Sequence, residues 1–144
     1  MEPTAERREL DELMNRSYTY AVVGTSNNRE KFGNRVYRTL RSIGLKVYPI
    51  NPAQSEIEGD VAYPTISSTP VKPDVVVLVV PPAVGEKIVR EACELKVKGV
   101  WVQIGAESDA LVDAAKRCGL VVVHGGPCIM VYGLMRFGAG EGGE

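Results

Sequence analysis

The sequence predicts an α/β domain of the Rossmann-like class, with a mostly parallel sheet of five to six strands and helices on both faces. Short apolar runs alternate with helical segments, and the connections between them are only a few residues long. The run from Asp74 to Val80 is apolar and mostly β-branched after its first residue, which is typical of a strand that is buried on both faces of a parallel sheet.

The first strand and helix occupy the segment after residue 17. The strand covers Tyr20–Val23, and a helix from Gly33 carries an apolar face formed by Val36, Leu40 and Ile43. Gly44 has the usual place of a helix terminator, and Leu45–Ile50 forms the second strand.

The rest of the chain continues the alternation of strands and helices. The elements expected after the second strand are a short strand near Val61–Tyr63, the strand Asp74–Val80, a helix from Ala83 to Lys96, a strand from Gly99 to Ile104, a helix from Ser108 to Cys118 and a strand from Leu120 to His124. The inward side of the Ala83–Lys96 helix is expected to carry Val84, Ile88, Ala92 or Cys93, and Leu95. We expect a helix within residues 1–16 that packs on a domain of residues 17–137, and a disordered glycine-rich tail at 138–144.

Size and charge exclude several classes of function. The chain has 144 residues, of which 44% are hydrophobic, so one compact domain is expected. Its net charge of −1 argues against a sequence-independent grip on nucleic acid. The absence of a run of about 20 apolar residues and the charged first ten residues predict a cytoplasmic protein that does not enter membranes.

The three cysteines give no sign of a disulfide framework or a zinc site. Cys93, Cys118 and Cys128 are an odd number without C-x-x-C spacing, so we expect reduced thiols and no metal site.

The turn after the first strand has the features of a phosphate-binding corner. Gly24, Thr25 and Ser26 separate the strand from a helix whose unpaired N–H groups and positive dipole end would point into the turn. Arg29, Lys31 and Arg35 add positive charge, and the hydroxyls of Thr25 and Ser26 are expected to be further donors. The strict G-x-G-x-x-G pattern is absent, so a purely structural turn remains an alternative.

The ends of the strands indicate where a ligand would bind. In a doubly wound sheet, ligands bind at the edge formed by the carboxyl ends of the strands, at the point where the strand order reverses. The second strand ends in Asn51-Pro52 rather than in the acidic residue that usually binds an adenosine ribose, which disfavours a nicotinamide or flavin dinucleotide.

Five segments together resemble the stand-alone coenzyme A (CoA)-binding proteins that are related to the nucleotide-binding domain of the succinyl-CoA synthetase α subunit. The resemblance covers roughly residues 17–132. It rests on Val22–Ser26 with Lys31 and Gly33, on Val47–Pro52, on Tyr63-Pro64, on Asp74–Pro82 and on Val100–Gly105, completed by Gly119–Val123 and Cys128.

The resemblance implies CoA as ligand and assigns residues to it. Gly24, Thr25 and Ser26 would hold a CoA phosphate, with Arg29 or Lys31 adjacent; Asn51, Pro52, Val80, Pro81 and Pro82 would flank the adenosine, and Gln103 and Gly105 would lie nearer the pantetheine arm. The segment Ala53-Gln54 stands where relatives often have lysine, and His124–Cys128 departs from the family's usual approach to the last cysteine.

No catalytic constellation is present in the sequence. His124 is the only histidine and is expected to make a structural hydrogen bond at a strand end. Cys128 is either a buried small side chain or a site of reversible CoA thiolation. Cys93 is expected in the core and Cys118 half-exposed.

Three functions follow as hypotheses. The first is a non-catalytic protein that binds CoA or acyl-CoA, with a sensor role and thiolation at Cys128. The second is a detached CoA-binding subunit of an ADP-forming acyl-CoA synthetase, which would need a partner subunit. The third is an NAD(P)-binding regulator. A homo-oligomer is compatible with each of them.

Overall fold

A computed structural model describes residues 7–138 and shows a five-stranded parallel sheet in the order β2-β1-β5-β6-β7. The predicted Rossmann-like fold is confirmed. The strands are β1 (Thr19–Val23), β2 (Lys46–Ile50), β3 (Glu56–Ile57), β4 (Asp60–Val61), β5 (Val75–Leu78), β6 (Gly99–Val102) and β7 (Val121–Val123). The helices are α1 (Arg7–Leu13), α2 (Phe32–Ser42), α3 (Pro82–Leu95), α4 (Asp109–Arg117) and α5 (Ile129–Phe137).

Alternate residues of each central strand enter two separate cores. Ala21 and Val23 of β1 face the core under α3 and α4, while Tyr20 and Val22 face the core under α1, α2 and α5. All five residues of β1 are buried. Because both faces of the sheet are covered, the strands carry continuous apolar runs instead of an alternating pattern.

The region between β2 and β5 differs from the expected single strand. A short antiparallel hairpin of β3 and β4 precedes Tyr63, which forms an isolated parallel bridge with Ile50 at the end of β2. This hairpin is where the polar segment 53–61 folds back toward the turn after β1.

Helix α3 is rotated relative to the expected orientation. Gly85, Val89 and Ala92 are its buried residues, and Val84 is 44% exposed, so the prediction that Val84 faces inward was wrong. Gly85 allows a close approach, since a Cβ atom there would lie 2.8 Å from Cδ1 of Leu111 on α4.

Helix α5 was not expected from the sequence. Its buried residues are Ile129, Tyr132 and Gly133, and a Cβ atom at Gly133 would lie 2.9 Å from Cδ1 of Ile43 at the end of α2. Glycine inside a helix usually lowers the stability of the helix, but here it permits close packing of α5 and α2.

Hydrogen bonds and an ion pair connect helix α1 to β1 and to α5. The hydroxyl of Tyr20 donates a hydrogen bond to the Leu13 carbonyl at 2.7 Å and accepts one from the Asn15 N–H at 3.0 Å. Asp11 accepts a short hydrogen bond from the Tyr132 hydroxyl and pairs with Arg136 at 3.3 Å. The predicted domain boundaries at residues 16 and 137 stay a prediction, and residues 1–6 and 139–144, including most of the expected tail, lie outside the described residues.

Cys93 and Cys118 form a disulfide, so the expectation of three reduced thiols was wrong for this pair. The two residues lie 25 positions apart in sequence and come together because α3 and α4 pack against each other. Cys128 is a free cysteine.

Within residues 7–138, no helix combines the length and the apolar character needed to cross a bilayer.

Candidate functional site

The strand order reverses between β1 and β5, and the turn after β1 lies at this point. Gly24 has a φ of 104°, and a Cβ atom there would lie 2.2 Å from the carbonyl oxygen of Val79, which directly follows β5. Only glycine fits this contact, because the neighbouring atom is fixed backbone. The chain therefore passes from β1 to α2 in direct contact with the end of β5.

A second glycine brings the start of α2 against the same turn. A Cβ atom at Gly33 would lie 2.1 Å from the Gly24 carbonyl oxygen and 3.4 Å from the Thr25 Cα. Gly33 thus has the close-packing role that the last glycine has in dinucleotide-binding turns, although the usual spacing is absent. The first turn of α2, with its unpaired N–H groups, is held beside the reversal point.

A cleft of about 430 Å³ opens next to this turn, and we call it the switch-point cleft. Its volume lies in the ordinary range for small-ligand sites, and its exposed rim is apolar, with Phe32 40% and Ile104 65% exposed. The lining residues are Phe32, Val79, Val80, Pro81, Pro82, Gln103, Ile104, Gly105 and Ala106. Five of the residues expected from the sequence, namely Val80, Pro81, Pro82, Gln103 and Gly105, therefore meet in one cleft.

Gln103 and Cys128 are joined behind this cleft. The Gln103 side chain is 2% exposed; its Nε2 donates to the Cys128 Sγ at 3.1 Å and its Oε1 accepts from the Ile129 N–H at 2.9 Å. The Gln103 amide therefore holds the start of α5. Because the side chain is almost fully buried, only a small part of its surface is left for contact with a ligand.

The two hydroxyls of the turn differ in their availability. Thr25 is fully buried and its hydroxyl donates to the Val22 carbonyl at 2.8 Å, so the expectation that it would donate to a ligand was wrong. Ser26 is half-buried, and its Oγ accepts from the Asn28 N–H at 3.1 Å, which leaves its hydroxyl hydrogen to donate.

A polar network ties the turn to the β3–β4 hairpin. Buried Asn34 donates from Nδ2 to the Ser26 carbonyl at 2.7 Å and to Glu58 at 2.9 Å, and its Oδ1 accepts from Arg38. Arg29 makes two hydrogen bonds to the Glu58 carboxylate, at 2.8 and 3.0 Å. Arg29 is thus engaged by Glu58, while Lys31 is exposed at the start of α2.

Glu58 is the acidic centre of this network. The hydrogen bonds from Arg29 and Asn34 lower the pKa of its carboxyl group to about 2. A pKa below the ordinary value means that the network stabilises the folded state above about pH 4.5 and that this contribution is lost as the pH falls toward 2.

We expect the substitution Glu58→Gln to lower the urea midpoint at pH 6 and to have a progressively smaller effect between pH 4.5 and pH 2. The reason is that the Glu58 carboxyl of the unfolded chain takes up a proton over this interval, whereas the folded carboxylate, held by Arg29 and Asn34, stays ionised until about pH 2, so its stabilising contribution is progressively lost. Glu56→Gln, at an exposed side chain of the same hairpin, is the control. A midpoint difference for Glu58→Gln that stays constant down to pH 2 would contradict the assignment.

The end of β2 is connected to the same turn. Asn51 donates from Nδ2 to the Thr25 carbonyl at 2.7 Å, and Gln54 accepts from the Asn27 N–H at 3.2 Å. Pro52 is exposed beside them. Asn51 and Gln54 therefore shape the turn, and Pro52 is the member of this group that is open to a ligand.

A second cleft of about 500 Å³ lies at the same edge of the sheet, next to β7. It is lined by charged and polar residues, among them Glu107, Asp113 and Lys116, and it includes half-buried His124. The expected structural hydrogen bond of the His124 side chain is not present within residues 7–138. Although larger, this cleft lies away from the reversal of strand order, so we place the candidate ligand site in the switch-point cleft. In the described part of the chain, no group of three or more His, Cys, Asp or Glu side chains is arranged to hold a metal ion.

Sequence reasoning missed Phe32, Ile104, Asn34 and Glu58. Ile104 was expected only as the end of a strand and Phe32 lies one residue before the expected helix, and their exposure depends on the fold. Asn34 gave a weak signal, since an amide in the first turn of an otherwise amphipathic helix is free to bind a neighbouring loop.

Comparison with protein families identifies one match that spans most of the chain. The family model described as "CoA binding domain" matches residues 18–133.

Curated relatives are larger proteins. The chain is 31% identical over 72% of its length to the α subunit of ADP-forming acetate–CoA ligase II from Pyrococcus furiosus, of which it covers 25%. It is 33% identical over 67% of its length to ADP-forming acetate–CoA ligase I from Archaeoglobus fulgidus, of which it covers 14%. The chain thus spans a quarter or less of the length of these two relatives.

Solved structures of similar size also match. A hypothetical protein from Pyrococcus horikoshii is 30% identical with a TM-score of 0.83, and the match covers 95% of this chain and 99% of that one. A conserved hypothetical protein from Pyrococcus furiosus is 40% identical with a TM-score of 0.75, covering 80% and 98%. An acetyl-coenzyme A synthetase from Ca. Korarchaeum cryptofilum is 32% identical with a TM-score of 0.68, covering 78% of this chain and 27% of the synthetase.

Proposed function

This chain belongs to the CoA binding domain family, and from that premise we propose that it binds CoA or an acyl-CoA in the switch-point cleft without catalysing a reaction of its own. The observation that carries the proposal is the contact of Gly33 with Gly24 and of Gly24 with Val79, which places the start of a helix beside an apolar cleft. CoA has a diphosphate between its adenine base and its long pantetheine arm. The diphosphate matches the start of the helix, and the base and the arm match the apolar cleft.

The parts of the ligand are assigned as follows. The diphosphate lies against the Gly24–Ser26 turn and the N–H groups at the start of α2, with Lys31 and Arg35 as exposed cations nearby. The adenosine packs between Pro52 and the Val80–Pro82 segment. The pantetheine arm passes Gly105 and the exposed side chain of Ile104.

A ligand screen by thermal shift tests the proposal. CoA at 100 times its dissociation constant should stabilise the protein by about 2.7 kcal/mol, whereas NAD and NADP at the same concentration should have little effect. The double substitution Lys31→Gln, Arg35→Gln should weaken CoA binding by roughly tenfold, because each exposed ion pair with a phosphate contributes up to about 1 kcal/mol. Lys87→Gln, at an exposed position of α3 outside the cleft, should leave binding unchanged. Equal stabilisation by NAD and CoA would overturn the proposal and favour a dinucleotide-binding regulator.

A role as detached subunit of an ADP-forming acyl-CoA synthetase is the second candidate. It is favoured by the identity of 31% to the α subunit of the acetate–CoA ligase from Pyrococcus furiosus. In that case an ATP-binding partner chain should co-purify with the native protein, and CoA-dependent ATP formation from an acyl-CoA, ADP and phosphate should require both chains. Recovery of the chain alone, with CoA bound, would favour the first candidate.

Thiolation of Cys128 is a further part of the proposed sensor role. The Cys128 Sγ contacts the Gln103 amide, and Gln103 lines the cleft, so the thiol lies directly behind the expected position of the arm. After incubation with CoA disulfide, intact-mass measurement of unreduced protein should show one CoA adduct on the wild type and none on Cys128→Ser. A wild-type protein without an adduct would exclude this role and leave CoA binding unaffected. The cytoplasmic location also stays a prediction.

A further inference from the structure

A third groove of the molecule, distinct from the switch-point cleft, contains the disulfide. It has a volume of about 450 Å³ and lies between the C-terminal halves of α3 and α4, with Cys93 and Cys118 in its wall. Helix α3 begins at the switch-point cleft with Pro82, and Cys93 follows 11 residues later. At a rise of about 1.5 Å per residue, the groove is about 16 Å away along the helix axis.

The two residues of the disulfide differ in exposure. Cys118 is exposed at the end of α4, whereas Cys93 is half-buried. Each Sγ lies near a backbone carbonyl of α4, that of Cys118 at 3.5 Å from Ala115 and that of Cys93 at 3.9 Å from Ala114. Exchange of a disulfide requires that a thiolate reaches one of the two sulfurs, so Cys118 is the sulfur that would be attacked. The leaving sulfur would be that of Cys93.

Two arginines flank the disulfide. Arg90 precedes Cys93 by three residues on α3 and Arg117 is adjacent to Cys118, and both line the groove. Neither guanidinium forms an ion pair within residues 7–138, and Glu94 is the one acidic side chain in the lining. Positive charge at this position attracts an anionic thiol and stabilises a thiolate that leaves Cys93.

We propose that the groove between α3 and α4 is a thiol–disulfide exchange site for small thiols that carry a negative charge, such as a carboxylate, sulfonate or phosphate. In the first step the thiolate of the small molecule bonds to Sγ of Cys118, and the Cys93 Sγ leaves with the electron pair. In the second step another thiolate attacks the small-molecule sulfur of this mixed disulfide and releases Cys118. Two thiols are oxidised to one small-molecule disulfide, and the protein disulfide is reduced to two thiols. This proposal does not depend on CoA binding.

The experiment measures exchange rates in a Cys128→Ser background, in which Cys93 and Cys118 are the two cysteines that remain. The oxidised protein is mixed with mercaptoethanesulfonate, 2-mercaptoethanol or cysteamine, which are anionic, neutral and cationic. Released thiols are trapped with a maleimide and counted by mass. Each rate is divided by the rate of the same thiol with a small neutral disulfide, which removes differences in thiol reactivity. Free CoA is run as a fourth, bulkier anionic thiol.

The normalised rate should be about fivefold higher for the sulfonate than for cysteamine, and the ratio should fall toward one in Arg90→Gln, Arg117→Gln and in high salt. Lys87→Gln on the same helix should keep the ratio. A fast reaction with the sulfonate but not with CoA would support the proposal and would show that the site accepts only small thiols. A ratio of one in the parent protein, a ratio that survives loss of both arginines, or two free thiols after treatment with an oxidant would each overturn the proposal.

Discussion

Replacement of Gly33 by alanine is expected to lower the free energy of unfolding by about 2–4 kcal/mol and to abolish most of the CoA affinity. The added Cβ atom would lie 2.1 Å from the Gly24 carbonyl oxygen, which is backbone and cannot rotate away. The start of α2 must therefore move away from β1, and its N–H groups lose their position beside the proposed diphosphate site.

Urea denaturation and CoA titration of the Gly33→Ala variant measure the two effects. The control is Gly133→Ala, also within a helix, where the Cβ atom would approach the flexible end of Ile43 at 2.9 Å. The control should lose less stability and keep its CoA affinity, because a side-chain tip can adjust. A Gly33→Ala protein with the stability and affinity of the wild type would show that the contact between α2 and the turn is not needed.

Reduction of the disulfide is expected to have the second largest effect. The bond between Cys93 and Cys118 closes a loop across 25 residues of sequence separation. The chain-entropy relation gives about 3.5 kcal/mol for a loop of this length, through restriction of the unfolded chain. A loss of that size should lower the melting temperature by roughly 10 °C.

Comparison of oxidised and reduced wild-type protein tests this effect without a substitution. Urea midpoints are measured with and without a phosphine reductant, and the Cys128→Ser variant serves as control because its disulfide is intact. The control should show the same difference between oxidised and reduced forms. Equal midpoints for the two forms of the wild type would contradict the expected stabilisation.

Local signals were sufficient to predict the sheet. The apolar runs that end at Val23 and before Pro81 could be read as buried strands, because a strand covered on both faces has no polar residues inside it. The same reading placed Val80, Pro81 and Pro82 at the edge where they line the cleft. The assignment of individual residues to parts of CoA stays a prediction.

Pairings between distant segments could not be predicted from the sequence. The contact of Glu58 with Arg29 depends on how the hairpin folds back over the turn, and the Cys93–Cys118 bond depends on the relative rotation of two helices. Helix α5 was not predicted. It contains Gly133, whose low helix propensity is offset by close packing on Ile43.

The side-by-side arrangement of the first and last helices gives the domain a modular character. Asp11 of α1 contacts Tyr132 and Arg136 of α5, so the two ends of the described chain lie close together. A domain whose two ends lie close together can be inserted into a longer polypeptide without disturbing its fold. The matches agree with this layout, since the chain covers 99% of the Pyrococcus horikoshii protein and 27% of the acetyl-coenzyme A synthetase from Ca. Korarchaeum cryptofilum.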